Sequence, residues 1–348
     1  MNLYWPEHPF RTEAGRRRRR LARWAKAESQ AKTDLLLSHG GCLDGVASAI
    51  VTVRARPGTG VAYAQPTQVV EFLAWLQGKP AKGRTLLVAD LSLQKPEFDA
   101  IVASSRDLAG AGWRIEWRDH HHKQWEGLDL ERLRKHLAVL QVNADATESG
   151  ATLQQQALAP ADAFAKRLAE TVRDRDLWWN KTPDSETLEF ALSDLGPKKF
   201  AEAYAGATAA TPTVPPVVAE AAKRERDRQA ATRDKVLAGT RRFADGRVAI
   251  VYGWLPKNTG LHELIEQGAD VAVNVRPNGK LSLRSRKEAA VCHLIAQQFG
   301  GGGHPNASGG DLGLRGPRYW WYILRRGRVA RVEALAKASV AAVEKLPR

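Results

Sequence analysis

The stretch SHGGCLDGVASA (residues 38–49) places a histidine, a thiol and a carboxylate within six positions, at His39, Cys42 and Asp44. It follows the apolar run 35–37, which is typical of a buried strand, and it leads into an apolar pattern with helical spacing. A strand that ends in a glycine turn before a helix predicts a βα unit. The polar groups are then expected at the carboxyl end of the strand.

Two further segments repeat this order. RTLLVADLS (84–92) and WRIEWRDH (113–120) are apolar runs that end in polar clusters, and helical patterns separate the three runs. This alternation predicts an α/β fold with a parallel sheet. Because the carboxyl ends of parallel strands lie at one edge of a sheet, the acidic and imidazole groups should meet there. They are His39, Asp44, Asp90, Asp119, His120 and His121.

The length of 348 residues favours two domains. A Pro-, Ala- and Thr-rich stretch at 206–220 precedes a charged helical pattern, and three strand-like runs follow, two of them joined by an NG pair typical of a hairpin turn. The predicted organisation is an α/β catalytic domain and a smaller α/β C-terminal domain with a cleft between them. The segments are a basic N-terminal arm (1–32), a metal-binding domain (33–205), a linker with a charged helix (206–240) and a substrate-binding domain with a basic end (241–348).

The net charge of +15 is concentrated at the two ends of the chain. Residues 1–32 contribute +6 and residues 313–348 contribute +7, so the remainder is nearly neutral. Such basic patches attract polyanions, of which nucleic acid is the commonest, although a solvated tail is the alternative. The run 16–20, RRRRR, leads into a helical pattern and predicts a basic helix.

Cysteine content and hydropathy indicate the compartment. Cys42 and Cys292 are far apart and form no disulfide framework, which suits a reducing environment. Apolar runs fall short of the roughly 20 residues that a membrane span needs, and the first residues lack the apolar core of a signal peptide. The sequence therefore predicts a soluble, cytoplasmic protein without a membrane partner, and it leaves a homodimer open.

Carboxylates crowded at one sheet edge would repel one another unless cations lay between them. Oxygen ligands together with a few histidines suit Mn²⁺ or Mg²⁺. The number of donors is enough for two ions about 3.5–4 Å apart, an arrangement that clamps the attacking and leaving oxygens in phosphoryl hydrolysis.

The order of these motifs resembles the DHH phosphoesterases, named for the triplet that stands here at residues 119–121. The resemblance covers roughly residues 33–312. It includes the H…DG motif at 39–45, Asp90 after the second predicted strand, the triplet, and a fourth aspartate in VRDRDLW. The C-terminal LSLRSR…FGGGGHPNASG resembles the DHH-associated substrate-binding domain.

The resemblance implies a set of site residues. Asp174 is preferred as the fourth-motif ligand, with Asp176 as the alternative; whichever is not a ligand would pair with Arg173 or Arg175 at the helix end. Catalytic roles are implied for Asp119, His120 and His121. The implied metal ligands are His39, Cys42, Asp44, Asp90, Asp119, His120 and Asp174.

The first motif departs from the common family form, HxDxDG. It reads HxxCxDG, with Cys42 in the place of the first aspartate, as in a branch related to small-oligonucleotide nucleases of the nanoRNase and RecJ type. A thiolate is a soft ligand that would favour Zn²⁺ or Fe²⁺. The alternative is that Cys42 is a small buried packing residue.

A second group of residues is expected to bind substrate. Four glycines at 300–303 would let the backbone approach an anion and offer N–H donors, and His304 adds an imidazole. Arg284 and Arg286 alternate on a predicted strand and would share a face. The predicted substrate-binding residues are Arg284, Ser285, Gly301, Gly302, Gly303 and His304.

These features predict a metal-dependent phosphodiesterase or exonuclease that hydrolyses short or single-stranded nucleic acid to mononucleotides. Its nucleophile would be a water activated by two ions, Mn²⁺ or else Mg²⁺ or another divalent ion. One alternative is a phosphatase of small nucleotides such as 3′-phosphoadenosine 5′-phosphate, or a cyclic dinucleotide phosphodiesterase; another is a catalytically inactive nucleic-acid-binding module. The tryptophan pairs 178–179 and 320–321 would stack on bases or fill cores.

Overall fold

The computed structural model describes residues 13–93, 95–143, 147–255, 259–276, 279–313 and 330–346. Asn278 of the predicted turn, the pair 320–321 and much of the basic C-terminal end lie outside these ranges. The chain forms two compact units, the first ending at Glu225 and the second beginning at Arg226. Among the described residues, no helix has both the length and the apolarity that a membrane span requires.

The first unit alternates strands and helices. Short 3₁₀ turns precede α3 and α4. The elements are α1 (Glu13–Gln30), β1 (Asp34–His39), α2 (Leu43–Ala55), β2 (Gly60–Ala64), α3 (Val69–Leu76), β3 (Thr85–Ala89), α4 (Phe98–Gly110), β4 (Arg114–Asp119), α5 (His122–Trp125), α6 (Leu130–Arg134), β5 (Val139–Val142), α7 (Gly150–Leu158), α8 (Ala163–Asp176), α9 (Pro183–Glu202, kinked at Gly196) and the first part of α10 (Pro216–Leu237), which continues into the second unit.

The five strands form one parallel sheet in the order β2-β1-β3-β4-β5. The chain passes from β1 outward to β2 and then returns to the other side of β1 with β3. The strand order therefore reverses between β1 and β3, and ligands of such sheets bind in the crevice at the carboxyl ends of these strands. The predicted α/β class with a parallel sheet is confirmed.

Helices cover both faces of this sheet, which explains why β1 reads as a continuous apolar run. Leu35 and Leu37 pack in the core cluster that contains Phe72 of α3 and Ile101 of α4. Leu36 points to the opposite face, where it packs with Ala49 of α2. Alternate residues of a strand face opposite sides, so a strand buried on both sides needs apolar residues at every position.

The basic helix expected from the run 16–20 is present as α1, and it packs on the first unit. Trp24 is 1% exposed, donates its indole N–H to the Tyr63 carbonyl at 3.0 Å and meets Phe72 edge to face. Arg17 and Arg20 both pair with Glu71. Part of the basic charge of this segment is therefore neutralised within the unit.

The second unit contains a six-stranded mixed sheet in the order β10-β11-β9-β8-β7-β6. Its one parallel pair, within the described ranges, is β7 with β8. Helices α12 and α13 lie on one face, whereas α11 and the end of α10 lie on the other. The elements are β6 (Arg241–Phe243), β7 (Val248–Tyr252), α11 (Thr259–Glu266), β8 (Val271–Val275), β9 (Lys280–Ser285), α12 (Cys292–Gln297), β10 (Gly302–His304), β11 (Ala307–Asp311) and α13 (Ala330–Glu344).

The runs that predicted strands in the second unit form β7, β8 and β9. The charged helix predicted in the linker is α10, but it is not a free connector. Val218 and Ala222 near its start are fully buried in the first unit, and Val236 and Leu237 at its end pack against the core of the second.

Candidate metal centre

The carboxyl ends of β1, β3 and β4 bring the predicted polar residues together. His39 ends β1, Asp90 follows β3, and Asp119 ends β4. Cys42 and Asp44 lie at the start of α2, in the turn after β1. The side chains therefore meet where the strand order reverses, as the sequence predicted.

Cys42 caps the first turn of α2. Its sulfur accepts the backbone N–H of Gly45 at 3.3 Å, lies 3.1 Å from Nδ1 of His39 and donates to Oδ2 of Asp90 at 3.0 Å. Burial raises the pKa of the Cys42 thiol, and the charges of Asp90 and Asp44 raise it further. The thiol therefore sits among polar partners, unlike a cysteine that only fills apolar space.

Asp44 is anchored by a second helix. Its two carboxylate oxygens accept the backbone N–H groups of Gly150 (2.6 Å) and Ala151 (2.9 Å), at the N-terminus of α7. A Cβ at position 150 would lie 2.7 Å from the Cβ of Asp90 and 2.9 Å from Oδ2 of Asp44, so only glycine fits. Sequence reasoning missed Gly150; the signal was Ser149, a helix cap directly before it.

Asp90 occupies the middle of the cluster. Its backbone has a φ of +53°, a left-handed conformation that few residues other than glycine adopt. Its carboxylate lies within 4 Å of imidazole nitrogens of His39, His120 and His121. Burial alone would raise the pKa of Asp90, but its interactions with His120 and His39 outweigh that effect and lower it.

His120 is surrounded by three carboxylates. Its Nε2 lies 3.2 Å from Asp90 Oδ1, 3.5 Å from Asp176 Oδ2 and 3.6 Å from Asp44 Oδ2, yet it forms no well-directed hydrogen bond. Burial lowers the pKa of His120, but the interaction with Asp90 and the surrounding negative charges raise it to about 10. The surrounding carboxylates thus favour the protonated imidazole.

Asp119 supports His121. One of its oxygens lies 2.8 Å from Nδ1 of His121, and the other accepts the indole N–H of Trp125 at 2.6 Å. Burial lowers the pKa of His121, but the hydrogen bond to Asp119 and its charge raise it. The side chain of His121 remains one-third exposed, whereas Asp119 is fully buried. Asp119 therefore orients an imidazole that solvent can reach.

The fourth-motif aspartate is corrected by the structure. Asp174 turns away from the cluster, and its carboxylate accepts the backbone N–H groups of Lys181 (2.8 Å) and Thr182 (3.1 Å) after the end of α8. These hydrogen bonds lower the pKa of Asp174 despite its burial. Asp176, two residues later, is the carboxylate that approaches His120, and burial raises its pKa.

Three groups of potential ligand atoms lie within 4.8 Å of one another in the described residues. Two groups share no residue, and the third links them through Asp90 and His120. Asp119 and Asp174, both predicted as ligands, belong to none of them. The groups are His39, Cys42 and Asp90; Asp44, His120 and Asp176; and Asp90, His120 and His121.

This donor set fits divalent metal ions. Each group combines at least one carboxylate oxygen with an imidazole nitrogen, a mixture that suits Mn²⁺, Zn²⁺ or Fe²⁺. The Nε2 of His120 is buried, close to three carboxylates and without a directed hydrogen bond, as expected of a ligand atom. Two groups without a common residue offer places for two ions.

The predicted substrate-binding residues lie together in the sheet of the second unit. In the register, Arg284 on β9 pairs with Ala307 on β11, which pairs with His304 on β10. Ser285 exchanges hydrogen bonds with Asn306. Arg286 instead pairs with Asp270 at 2.6 Å, so the expectation that both arginines grip phosphate from one face is not met.

Packing explains part of the glycine run at 300–303. A Cβ at Gly301 would lie 1.9 Å from the carbonyl oxygen of Gly309, so β10 and β11 can pack here only with glycine at this position. Gly300 has a φ of +62° in the preceding turn. A Cβ at Gly302 would meet nothing within 4 Å, so its backbone remains accessible.

No protein-family model matches this chain, and no curated protein matches it. Solved structures similar to it include an uncharacterized protein from Helicobacter pylori G27 (18% identity, 88% of this chain and 99% of the other, TM-score 0.39). Another is an exopolyphosphatase-related protein from Bacteroides fragilis (14% identity, 93% of this chain and 98% of the other, TM-score 0.42). A third is a pGpG-specific phosphodiesterase from Vibrio cholerae (12% identity, 88% of this chain and 100% of the other, TM-score 0.49).

Proposed function

We propose that this protein is a metal-dependent phosphodiesterase of the DHH type that hydrolyses short or single-stranded nucleic acid to mononucleotides. The observation that carries the proposal is the linked set of three ligand groups at the carboxyl edge of the parallel sheet. Isolated carboxylates are common on protein surfaces, but here Asp44 and Asp90 are almost fully buried beside one another. Burial of like charges is costly unless a cation compensates them.

The residues that would hold two divalent ions are His39, Cys42 and Asp90 on one side and Asp44, His120 and Asp176 on the other. When bound, such ions would supply charge neutralisation of the phosphodiester and activation of water. The backbone N–H groups of Gly150 and Ala151 hold the Asp44 carboxylate in place, as the supporting shell of a metal site should.

The Asp119–His121 pair has the arrangement of a proton donor. Asp119 binds Nδ1 of His121, which fixes the orientation of the ring and favours its protonated form. Because His121 is the more exposed partner, it can reach a phosphate oxygen or the leaving group. We assign it to binding the phosphate and donating a proton to the departing oxygen. Trp125 keeps the supporting carboxylate oriented through its indole N–H.

Hydrolysis of a small nucleotide, such as 3′-phosphoadenosine 5′-phosphate or a cyclic dinucleotide, would use the same cluster. The basic charge favours the longer substrate, because Arg18 and Arg19 are exposed on α1 and form no ion pair with any described residue. A catalytically inactive module is disfavoured, since Asp44 and Asp90 remain buried carboxylates with no apolar residue in their place.

The test is a product time course. End-labelled RNA and DNA of two, five and twenty nucleotides are incubated with Mn²⁺ and the full chain, and the products are resolved on a gel. We expect stepwise release of mononucleotides. Cleavage of the two-nucleotide substrate alone would transfer the assignment to the small-nucleotide alternatives, and an absence of phosphoester cleavage with Mn²⁺ or another divalent ion would overturn it.

A further inference from the structure

Two adjacent tryptophans are exposed just beyond the candidate metal centre. Trp178 is 63% exposed and Trp179 is 42% exposed, whereas the aromatic side chains of the cores are nearly all buried. The segment starts immediately after α8, whose last residue is Asp176. Two peptide steps span at most about 7 Å, so the backbone at Trp178 lies close to the cluster.

Hydrogen bonds to Asp174 fix the backbone of the loop that carries these tryptophans. Trp178 and Asn180 have φ values of +57° and +48°, a conformation that costs free energy in residues other than glycine. The carbonyl of Asp174 accepts the N–H groups of Trp179 (3.0 Å) and Asn180 (3.1 Å). Its carboxylate accepts those of the next two residues. Asp174 therefore fixes the backbone of the loop that carries the exposed indoles.

Cationic side chains lie over the two indole rings, and two of them also pair with carboxylates, Arg173 with Glu148 and Arg175 with Glu189. The guanidinium of Arg175 lies 4.9 Å from the ring centre of Trp178. The ammonium of Lys181 and the guanidinium of Arg173 lie 4.7 Å and 5.4 Å from that of Trp179. Arg173, Trp179 and Lys181 also line a surface groove of about 390 Å³, a volume in the range of small-ligand sites.

Exposed aromatic rings beside cations are the arrangement by which proteins bind single-stranded nucleic acid, since bases stack on the rings and cations attract the phosphates. A protein core would bury the indoles, and an anion site without bases would not require them. We infer that Trp178 and Trp179 form a stacking platform for a nucleobase of the substrate, with Lys181 near its phosphates. This inference rests on the proposed function and restricts it to substrates that contain bases.

Binding without hydrolysis tests the platform. The full chain is kept metal-free with EDTA, and affinity is measured for a single-stranded pentanucleotide that contains 2-aminopurine and for an abasic pentamer of equal charge. The base analogue loses fluorescence when it stacks on indole. We expect Trp178→Ala to weaken binding of the base-containing pentamer by roughly 5- to 150-fold and to reduce the quenching. Trp178→Phe should retain much of both.

The matched control is Trp254→Ala, which removes another exposed tryptophan, in the second unit. It should change neither ligand's affinity, and the abasic pentamer should bind equally to wild type and Trp178→Ala. Equal losses for both pentamers, or no loss for either, would overturn the platform. So would conversion of a wild-type dimer to monomer by Trp178→Ala at unchanged affinity, because a second copy would then cover this face.

The result for the stacking platform can be distinguished from the result for the proposed hydrolase activity. Base-dependent binding without cleavage in any metal would keep the platform and reject the hydrolase. Cleavage of the substrate together with binding that does not depend on its bases would keep the hydrolase and reject the platform.

Discussion

The carboxyl edge of the first sheet and the glycine hairpin of the second unit were both expected to be functional from sequence, but they satisfy their polar groups differently. At the sheet edge, buried carboxylates and imidazoles face one another, and Nε2 of His120 lacks a directed hydrogen bond. In the hairpin, the backbone of β10 pairs with β11, and Gly301 is required by the Gly309 carbonyl. Buried carboxylates crowded around an imidazole nitrogen that lacks a directed hydrogen bond indicate a ligand, whereas a glycine run is first explained by packing.

The electrostatics support this distinction. Burial raises the pKa of Asp44 well above its usual range, and the charges of Asp90 and Asp176 raise it further. The same site raises the pKa of His120. Neighbouring carboxylates contribute to both shifts, and a cation can neutralise their negative charge.

The largest effect should follow removal of the central ligand. We expect Asp90→Asn to lower the rate constant of the cleavage step by roughly 10³-fold, because metal-centred stabilisation of the transition state is worth several kcal/mol. The measurement is single-turnover cleavage of a labelled pentanucleotide with Mn²⁺. Asp99→Asn, on the exposed face of α4, is the matched control and should keep wild-type activity. Wild-type turnover by Asp90→Asn would remove the cluster from the reaction.

Asp174 and Asp176 lie within one turn at the end of α8, and their substitution should affect different properties of the protein. Asp174→Asn should lower the free energy of unfolding by about 1–3 kcal/mol, because its carboxylate accepts two backbone N–H groups, and should leave metal stoichiometry unchanged. Asp176→Asn should weaken metal binding with little loss of stability, since its charge adds to the repulsion in the cluster.

Denaturant unfolding and metal titration of both variants check this pair. Since the pKa of Asp174 is lowered in the folded protein, its contribution should be present above about pH 4 and be lost as the pH falls further. Metal loss in Asp174→Asn together with full occupancy in Asp176→Asn would restore the ligand choice made from sequence.

The stability of the glycine hairpin should depend on Gly301 but not on Gly302. Gly301→Ala should destabilise the protein by about 1–3 kcal/mol, because the added methyl meets the Gly309 carbonyl. Gly302→Ala should change stability by no more than about 0.5 kcal/mol, since the space around it is open. Thermal or denaturant unfolding compares the two. Equal tolerance at both positions would show that packing does not require the run.

The smallest effect concerns the basic helix. Arg18→Gln combined with Arg19→Gln should flatten the log–log salt dependence of binding to a twenty-nucleotide single strand by up to about 1.4, or about 0.7 for each phosphate contact. Arg17 and Arg20 should contribute less because both pair with Glu71. Arg106→Gln on α4 is the control. An unchanged slope would show that α1 does not contact the substrate.

The sequence predicted the sheet edge well because its signals are local. A strand followed by a polar turn places a side chain at a known edge, so the amino-acid sequence alone was enough to bring His39, Asp44, Asp90 and His120 together. The strands β2, β5, β6, β10 and β11 were not predicted. They are short, and Gly60–Ala64 and Gly302–His304 contain small residues that carry no strand pattern.

The details of the site depended on tertiary contacts that spacing does not encode. Asp174 and Asp176 are both plausible from sequence, and the difference arises from where α8 ends and which carboxylate caps the loop. Gly150 is fixed by a contact with Asp44, 106 positions earlier. Trp125 likewise acts through a hydrogen bond to Asp119 that no sequence motif predicts.

Metal binding by the metal-free full chain tests the central claim most directly. Mn²⁺ is titrated by calorimetry from about pH 6 to about pH 8, with bound metal counted after dialysis. We predict two ions per chain and an affinity that rises with pH, since the pKa of His120 is about 10 and its proton must leave before the imidazole can bind metal. Each proton displaced adds up to about tenfold per pH unit. A chain that binds no divalent ion, or binds it with an affinity independent of pH, would contradict the account.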